Sequence, residues 1–144
     1  MKYPTLKFQL LSENAKIPER GTKFSSGLDV FSPIDCVVPA RGDILIPLDI
    51  RFEIPEGYDL TVRNKSGICT KKKLLKGAET IDGDYRGNCH IHFFNHSDSD
   101  VHIKKGDKIS QLVMREVWLG DIEQVDFIDT DTHRGQGGFG STGV

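Results

Sequence analysis

At 144 residues, with 37% hydrophobic and 28% charged side chains, the chain is long enough for one domain burying roughly 70% of its unfolded surface and too short for two. A formal net charge of −2 gives no general attraction for nucleic-acid backbones, which takes several uncompensated Lys or Arg on one surface, so polymeric DNA or RNA is excluded as a partner class. The opening stretch MKYPTLKFQLLSENAKIPER carries charges throughout and has no apolar run of signal-peptide or membrane-span length, which predicts no membrane partner and cytoplasmic residence, in the host cytoplasm if the chain is viral.

Period-two patterning predicts strands at Leu6 to Leu10, Asp43 to Ile54, Tyr58 to Arg63, Cys89 to Asn95 and Lys108 to Val117. In the second of these, Ile44, Ile46, Leu48, Ile50, Phe52 and Ile54 alternate, which predicts a single strand with all six on its core face. Turn chemistry at Pro39–Gly42, Pro55–Gly57, Asn95–Ser99 and Lys105–Asp107 has the rhythm of a sandwich or barrel, so the predicted fold is an all-β jelly roll. One helical turn is expected over Gly67 to Leu75, with Ser66 as its cap. Cys36, Cys69 and Cys89 are odd in number and widely spaced, which predicts reduced, mostly buried thiols rather than a zinc or redox centre. From Asp129 the sequence DTDTHRGQGGFGSTGV holds five glycines between Gly135 and Gly143 and almost no apolar residues. The expected division is a β domain over 1–128 and, over 129–144, an arm that stays mobile until something orders it.

Four clusters carry candidate chemistry. In the arm, successive glycine N–H groups with Ser141 and Thr142 suit an anion, Arg134 offers a planar cationic fork, and Phe139 is an aromatic with no use in a free tail unless it stacks on a flat ring. A tail with an accidental aromatic is the alternative. In Ile81-Asp82-Gly83-Asp84-Tyr85-Arg86-Gly87, two carboxylates two residues apart share a side if the chain is extended, and either suits a general base. A turn that uses Asp and Gly for backbone conformation fits the same spacing. Asn64-Lys65-Ser66-Gly67 brings a cation, a hydroxyl and a close-approach glycine, all useful around phosphates and all common in surface turns. His90 and His92 share a strand face at metal-compatible spacing but lack a third ligand, so ordinary half-exposed histidines are favoured. Phe93 and Phe94 fall on opposite faces of that strand, one in the core and the other exposed as a candidate intersubunit contact. The Lys71–Lys73 run reads as a solvated face.

Taken in order, these pieces resemble the five motifs of the trimeric dUTPase family, in a divergent, phage-type form. The motifs are Ser26-Gly27-Leu28-Asp29-Val30, Asn64-Lys65-Ser66-Gly67, Thr80 to Gly87, Gly106 to Val113, and Arg134 to Gly143. The resemblance implies a jelly-roll β-barrel subunit, a homotrimer with active sites at subunit interfaces, and a C-terminal arm from another subunit closing each site. It implies hydrolysis of dUTP to dUMP and pyrophosphate, which limits uracil in DNA and supplies dUMP for dTMP synthesis. By the same resemblance, Asp82 holds the water that attacks the α-phosphorus, and Tyr85 lies under the deoxyribose and excludes a 2′-hydroxyl. Lys65, Ser66, Gly67 and Gln111 would contact phosphates, Arg134 the terminal phosphate and Phe139 the uracil face, with Gly140 and Ser141 also on the nucleotide. Thr80, Ile81 and His90 would belong to the backbone wall that reads uracil, formed by the Leu74–Thr80 hairpin and the strand near His90, while Asp29 joins a supporting polar network. One Mg²⁺ would be held by the triphosphate and waters, with no direct protein ligand.

Two stretches depart from the family pattern. Asn64-Lys65 stands where Pro-Arg is usual, exchanging a bidentate fork for a point charge, and the hairpin before Asp82 is about two residues short and reads Lys76-Gly77-Ala78-Glu79. Two rival readings share the fold. A dCTP deaminase relative would need a further deaminating acid and a different base pocket, and a trimeric dUTP-binding regulatory module would need no turnover.

Overall fold

The computed structural model describes residues 3–141. Twelve strands and one short helix follow in chain order: β1 Lys7–Leu10, β2 Glu19–Arg20, β3 Leu28–Phe31, β4 Cys36–Val38, β5 Asp43–Pro47, β6 Ile50–Glu53, β7 Tyr58–Arg63, α1 Ser66–Lys72, β8 Leu74–Lys76, β9 Thr80–Ile81, β10 His90–Asn95, β11 Val101–Ile103 and β12 Lys108–Glu116. The fold is all-β. Its ladders form a five-stranded sheet in the order β2-β3-β12-β7-β9, a three-stranded sheet β5-β10-β8, and the pairs β1-β6 and β4-β11. Every pairing is antiparallel, and no closed barrel forms among the described residues.

The alternating stripe is buried as its periodicity predicts, with Ile46, Leu48, Ile50, Phe52 and Ile54 in the core and Ile44 packed at its margin. It is not one strand, however. The chain leaves the β10 ladder after Pro47 and joins β1 from Ile50, pivoting on Asp49, whose φ of 52° is left-handed. Aspartate is among the few non-glycine residues that enter this conformation readily; here tertiary bonds hold it, its carboxylate accepting from Ser12 Oγ at 2.8 Å and Asn88 Nδ2 at 3.1 Å. Periodicity survives such a switch of sheet, which is why sequence alone reads through it.

The helix also differs from expectation. It starts at Ser66, Lys65 takes the N-cap position without a side-chain cap, and Lys73 ends it in the left-handed region (φ 57°). Leu74 then pairs with Asn95 in β10, and strand pairing takes over the residues expected to prolong the helix. The strands that sequence patterning missed, β2, β3, β4, β8, β9 and β11, have two to four residues each, too few to display a period.

Among the cysteines, all free, Cys89 is buried whereas Cys36 and Cys69 are half-buried, so the thiols are less enclosed than predicted. Burial pushes the Cys89 thiol up to about 11. Iodoacetamide at pH 8 is therefore expected to spare Cys89 in the native protein and modify it once denatured. Mass spectrometry of the labelled peptides checks this, and early loss of free Cys89 would show that the core opens locally.

After Val117 no strand or helix occurs up to residue 141, and residues 118–136 are exposed throughout. Trp118, Leu119, Ile122, Phe127 and Ile128 lie among them. No helix among the described residues is long and apolar enough to cross a membrane.

Candidate active site

The five-stranded sheet carries the first, fourth and third motifs on β3, β12 and β9, and the second follows directly on the end of β7. Gln111 in β12 sits opposite Asp29 of β3 and Arg63 of β7. Its Nε2 donates to the Asn64 carbonyl at 2.9 Å, and a Cβ at Gly27 would collide with its Oε1, so Gly27 must be glycine for this amide to lie where it does. Asp29 is buried and accepts from Lys65 Nζ at 2.6 Å, with Lys108 Nζ at 3.4 Å from its other oxygen. Lys65 is thus engaged by a buried carboxylate rather than standing free for phosphate. Ser66 and Gly67 are exposed at the start of α1, and a Cβ at Gly67 would meet only open space, which leaves that backbone accessible to a ligand.

The third motif lies elsewhere on the sheet. β9 pairs with β7 so that Ile81 faces Leu60 and Thr80 faces Thr61, extended by Val62 N–H donating to Glu79 O at 2.7 Å. Ile81 is buried and Thr80 exposed. Asp82 then opens a turn closed by Tyr85 N–H on the Asp82 carbonyl at 3.1 Å. The two carboxylates therefore sit on a turn, and the extended arrangement with Asp82 and Asp84 on one side does not occur. Gly83 packs so closely that a Cβ would lie 2.8 Å from the Tyr58 carbonyl. Asp82, Asp84 and Arg86 rim a groove of about 570 Å³ whose other wall includes Tyr58, Asp59, Val117 and Leu119.

Tyr85 is held rather than free. Its hydroxyl donates to the Asn88 carbonyl at 2.9 Å, and its ring covers Gly87, where any Cβ would strike it. The same carbonyl lies 2.9 Å from His90 Nδ1, which places the proton on that nitrogen. Asn88 is in turn locked by Asp49 and by Ile50 N–H, which donates to its side-chain oxygen at 3.2 Å. Sequence reading passed over Asn88, because its partners Asp49 and Ile50 are remote in the chain. His92 bonds Asp43 Oδ2 through Nε2 at 2.9 Å, and no three His, Cys, Asp or Glu side chains among the described residues could hold a metal together. Phe93 is fully buried and Phe94 exposed.

Arg134, Phe139, Gly140 and Ser141 are exposed. Arg134 Nε donates to the Gly137 carbonyl at 2.9 Å, and Phe139 and Gly140 take positive φ, 51° and 91°. Thr142 and Gly143 of the fifth motif lie outside the described residues.

Two of the candidate clusters are far apart within one chain. Asp82 follows the Ile81–Leu60 pair and so stands level with Asp59, whereas Gln111 is level with Arg63. Four residues of strand separate those levels by about 13 Å along β7, and the contact of Gly83 with Tyr58 fixes the Asp82 turn at the remote end.

A family model described as dUTPase matches residues 13–143. This chain belongs to the dUTPase family. The deoxyuridine 5'-triphosphate nucleotidohydrolase of Arabidopsis thaliana is 46% identical over 141 residues, covering 98% of this chain and 84% of that protein. Among solved structures, the Staphylococcus bacteriophage 80alpha dUTPase with dUpNHpp superposes with a TM-score of 0.93 at 32% identity, covering 99% of this chain and 100% of that one. A D95N variant of the dUTPase from phage phi11 of S. aureus, described as revealing the coordination of a structural Mg(II) ion, gives 0.82 at 30% identity over 86% of this chain and 98% of that one. Identity is higher to the plant protein than to these phage chains, so it does not single out a phage-type branch.

Proposed function

We propose that this protein hydrolyses dUTP to dUMP and pyrophosphate at sites formed between copies of the chain, in the cytoplasm of its cell or host. The observation that carries this reading is the separation of the Asp82–Tyr85 turn from the Gln111–Ser66 region. A carboxylate about 13 Å from the phosphate-binding groups along the strand cannot serve the same phosphorus in one subunit, whereas a neighbouring copy can supply the missing half. A homotrimer built on a threefold axis gives each site one half from each of two chains and leaves an arm, residues 129–144, from the third. The exposed run containing Trp118, Ile122, Phe127 and Ile128 supports such an assembly, because a lone chain rarely leaves so much apolar surface uncovered.

In this arrangement Asp82 orients a water and accepts its proton as the oxygen attacks the α-phosphorus, and pyrophosphate departs on the far side. Tyr85, pinned over Gly87, forms a rigid floor for the deoxyribose. Backbone groups from Gly77 to Ile81 and at His90 read the uracil edge, and a main-chain wall leaves no room for the thymine methyl. Ser66, Gly67 and Gln111 bind the phosphate chain, while Lys65 and Asp29 hold that region in shape. The donor set suits Mg²⁺ that arrives on the triphosphate, with no protein residue as a direct ligand. When bound, the metal supplies neutralisation of phosphate charge and a fixed phosphate conformation. From the arm, Arg134 reaches the terminal phosphate and Phe139 covers the base, excluding bulk water.

The decisive assay incubates the protein with dUTP, dCTP, dTTP and UTP in the presence of Mg²⁺ and quantifies pyrophosphate and nucleoside products. Pyrophosphate and dUMP from dUTP alone are expected. Deaminated product from dCTP would favour the deaminase relative, and tight dUTP binding without turnover would favour the regulatory module. Removal of residues 134–144 is expected to lower kcat/KM about a hundredfold, from lost stacking and charge contacts, with Tm unchanged because the arm adds little to the core. Lys65→Ala should raise KM for dUTP severalfold and cost roughly 1–3 kcal/mol of stability, since buried Asp29 loses its nearest donor; equilibrium unfolding and steady-state kinetics read the two effects separately.

A further inference from the structure

The Asn64–Lys65 stretch and the hairpin from Lys76 to Glu79 touch one another. Lys76 N–H, at the end of β8, donates to Asn64 Oδ1 at 2.9 Å, and the Asn64 carbonyl receives the Gln111 amide at 2.9 Å. A residue without a side-chain acceptor at this position could not make the first of these bonds. The hairpin turn that follows is seated on β10. Gly77 N–H donates to His92 O at 2.8 Å, a Cβ at Gly77 would collide with the His92 ring, and His92 is fixed by Asp43 at 2.9 Å. An ion pair between Lys76 and Glu79 closes the turn across its top. The segment from Lys76 to Thr80 is therefore positioned from below by His92 and from the side by Asn64, and its far end by Val62 N–H on Glu79 O.

We propose that Asn64 is a positioning residue for base discrimination, setting through its bond to Lys76 where the backbone from Gly77 to Thr80 stands against the nucleobase. The inference rests on the uracil-nucleotide reading above. Uracil and thymine differ by one methyl group, so the wall that separates them works by position alone, and a small outward shift admits the larger base. Val62 and β10 hold the hairpin at the end nearest the sheet and along its floor. Asn64 supplies the lateral restraint on the side of the Lys65–Gly67 loop, with its own carbonyl anchored by Gln111. Asn64 acts through the hairpin and touches no reacting atom.

Two variants test this. Asn64→Leu removes the acceptor at similar volume, and Asn64→Asp keeps an oxygen for Lys76 N–H. For Asn64→Leu the expected result is a rise of about tenfold in KM for dUTP, from the lost bond and the unpaired N–H, with kcat within about threefold of wild type. The ratio of kcat/KM for dUTP over dTTP should fall by about tenfold, the scale of one methyl group in a fitted pocket. Titration calorimetry with dUMP should show a matching loss of affinity, whereas inhibition by inorganic tripolyphosphate, which probes the phosphate groups alone, stays level. Asn64→Asp should recover the dUTP preference. An unchanged dUTP to dTTP ratio overturns the assignment, as does equal weakening of dUMP and tripolyphosphate, or a lowered Tm with wild-type kinetics. Wild-type protein that binds dUMP without hydrolysing dUTP would sink the hydrolase reading while leaving the dUMP titration of Asn64→Leu to decide this one. Wild-type protein that binds no dUMP sinks both.

Discussion

Asp82→Asn is expected to lower kcat for dUTP by about a thousandfold, the middle of the range for loss of a general base, while affinity for the non-hydrolysable analogue dUpNHpp stays within a few-fold of wild type. The substitution is nearly isosteric, and Asp82 is exposed on a turn closed through its backbone carbonyl rather than its side chain, so neither the turn nor Tm should change. Asparagine can still orient a water through its oxygen but cannot take up the proton, which separates positioning from proton transfer in a single atom. Asp84→Asn is the control, since Asp84 shares the turn and the groove rim and is assigned no chemical role; its kcat should fall less than about tenfold. Rapid-quench measurement of dUMP formation with calorimetry of the analogue decides the matter. A thousandfold loss at Asp84 with retained activity at Asp82 would transfer the base to the second carboxylate.

How far these features were visible in the sequence depends on the length scale of each. The alternation from Ile44 to Ile54 correctly marked a core face, because burial is set residue by residue and does not depend on which neighbour a strand pairs with. It could not reveal the pivot at Asp49, whose left-handed conformation is supported by Ser12 and Asn88, partners distant in the chain. Ser66 had the chemistry of a helix cap, yet the chain enters the helix with Lys65 at that position, so local propensity was overridden by the demands of the neighbouring β7 and β8. Gly27, Gly83 and Gly87 lie within the motifs that the sequence marks. The reasons for them are tertiary, namely the Gln111 amide, the Tyr58 carbonyl and the Tyr85 ring. The separation of Asp82 from Gln111 was least legible of all, since it follows from the registers of the two-residue β9 and of β12 on β7, and alternation tells which face a strand residue takes but not which residue of a neighbouring strand it stands beside.

That separation has a consequence for mixed assemblies. Gln111→Ala removes the amide that ties β12 to the Asn64 carbonyl and would touch phosphate, and alone it should be nearly inactive, as should Asp82→Asn. If each site takes Asp82 from one chain and Gln111 from the next, unfolding the two variants together and refolding them as a mixture creates some sites in which both residues are intact. With random assembly in a symmetric ring, one site in four draws its Asp82 from a Gln111→Ala chain and its Gln111 from an Asp82→Asn chain, so turnover should recover to roughly a quarter of the wild-type value. Each variant refolded alone provides the baseline, and a titration of the mixing ratio should peak near equal amounts, because the number of repaired sites follows the product of the two fractions. Sites contained within single chains predict the opposite, an activity that never exceeds the weighted mean of the two parents at any ratio. Recovery near a quarter would therefore tie the β-register of one subunit to the catalytic architecture of the whole assembly, and a flat titration would require the Asp82 turn and Gln111 to meet within one chain through a rearrangement of β7 and β9.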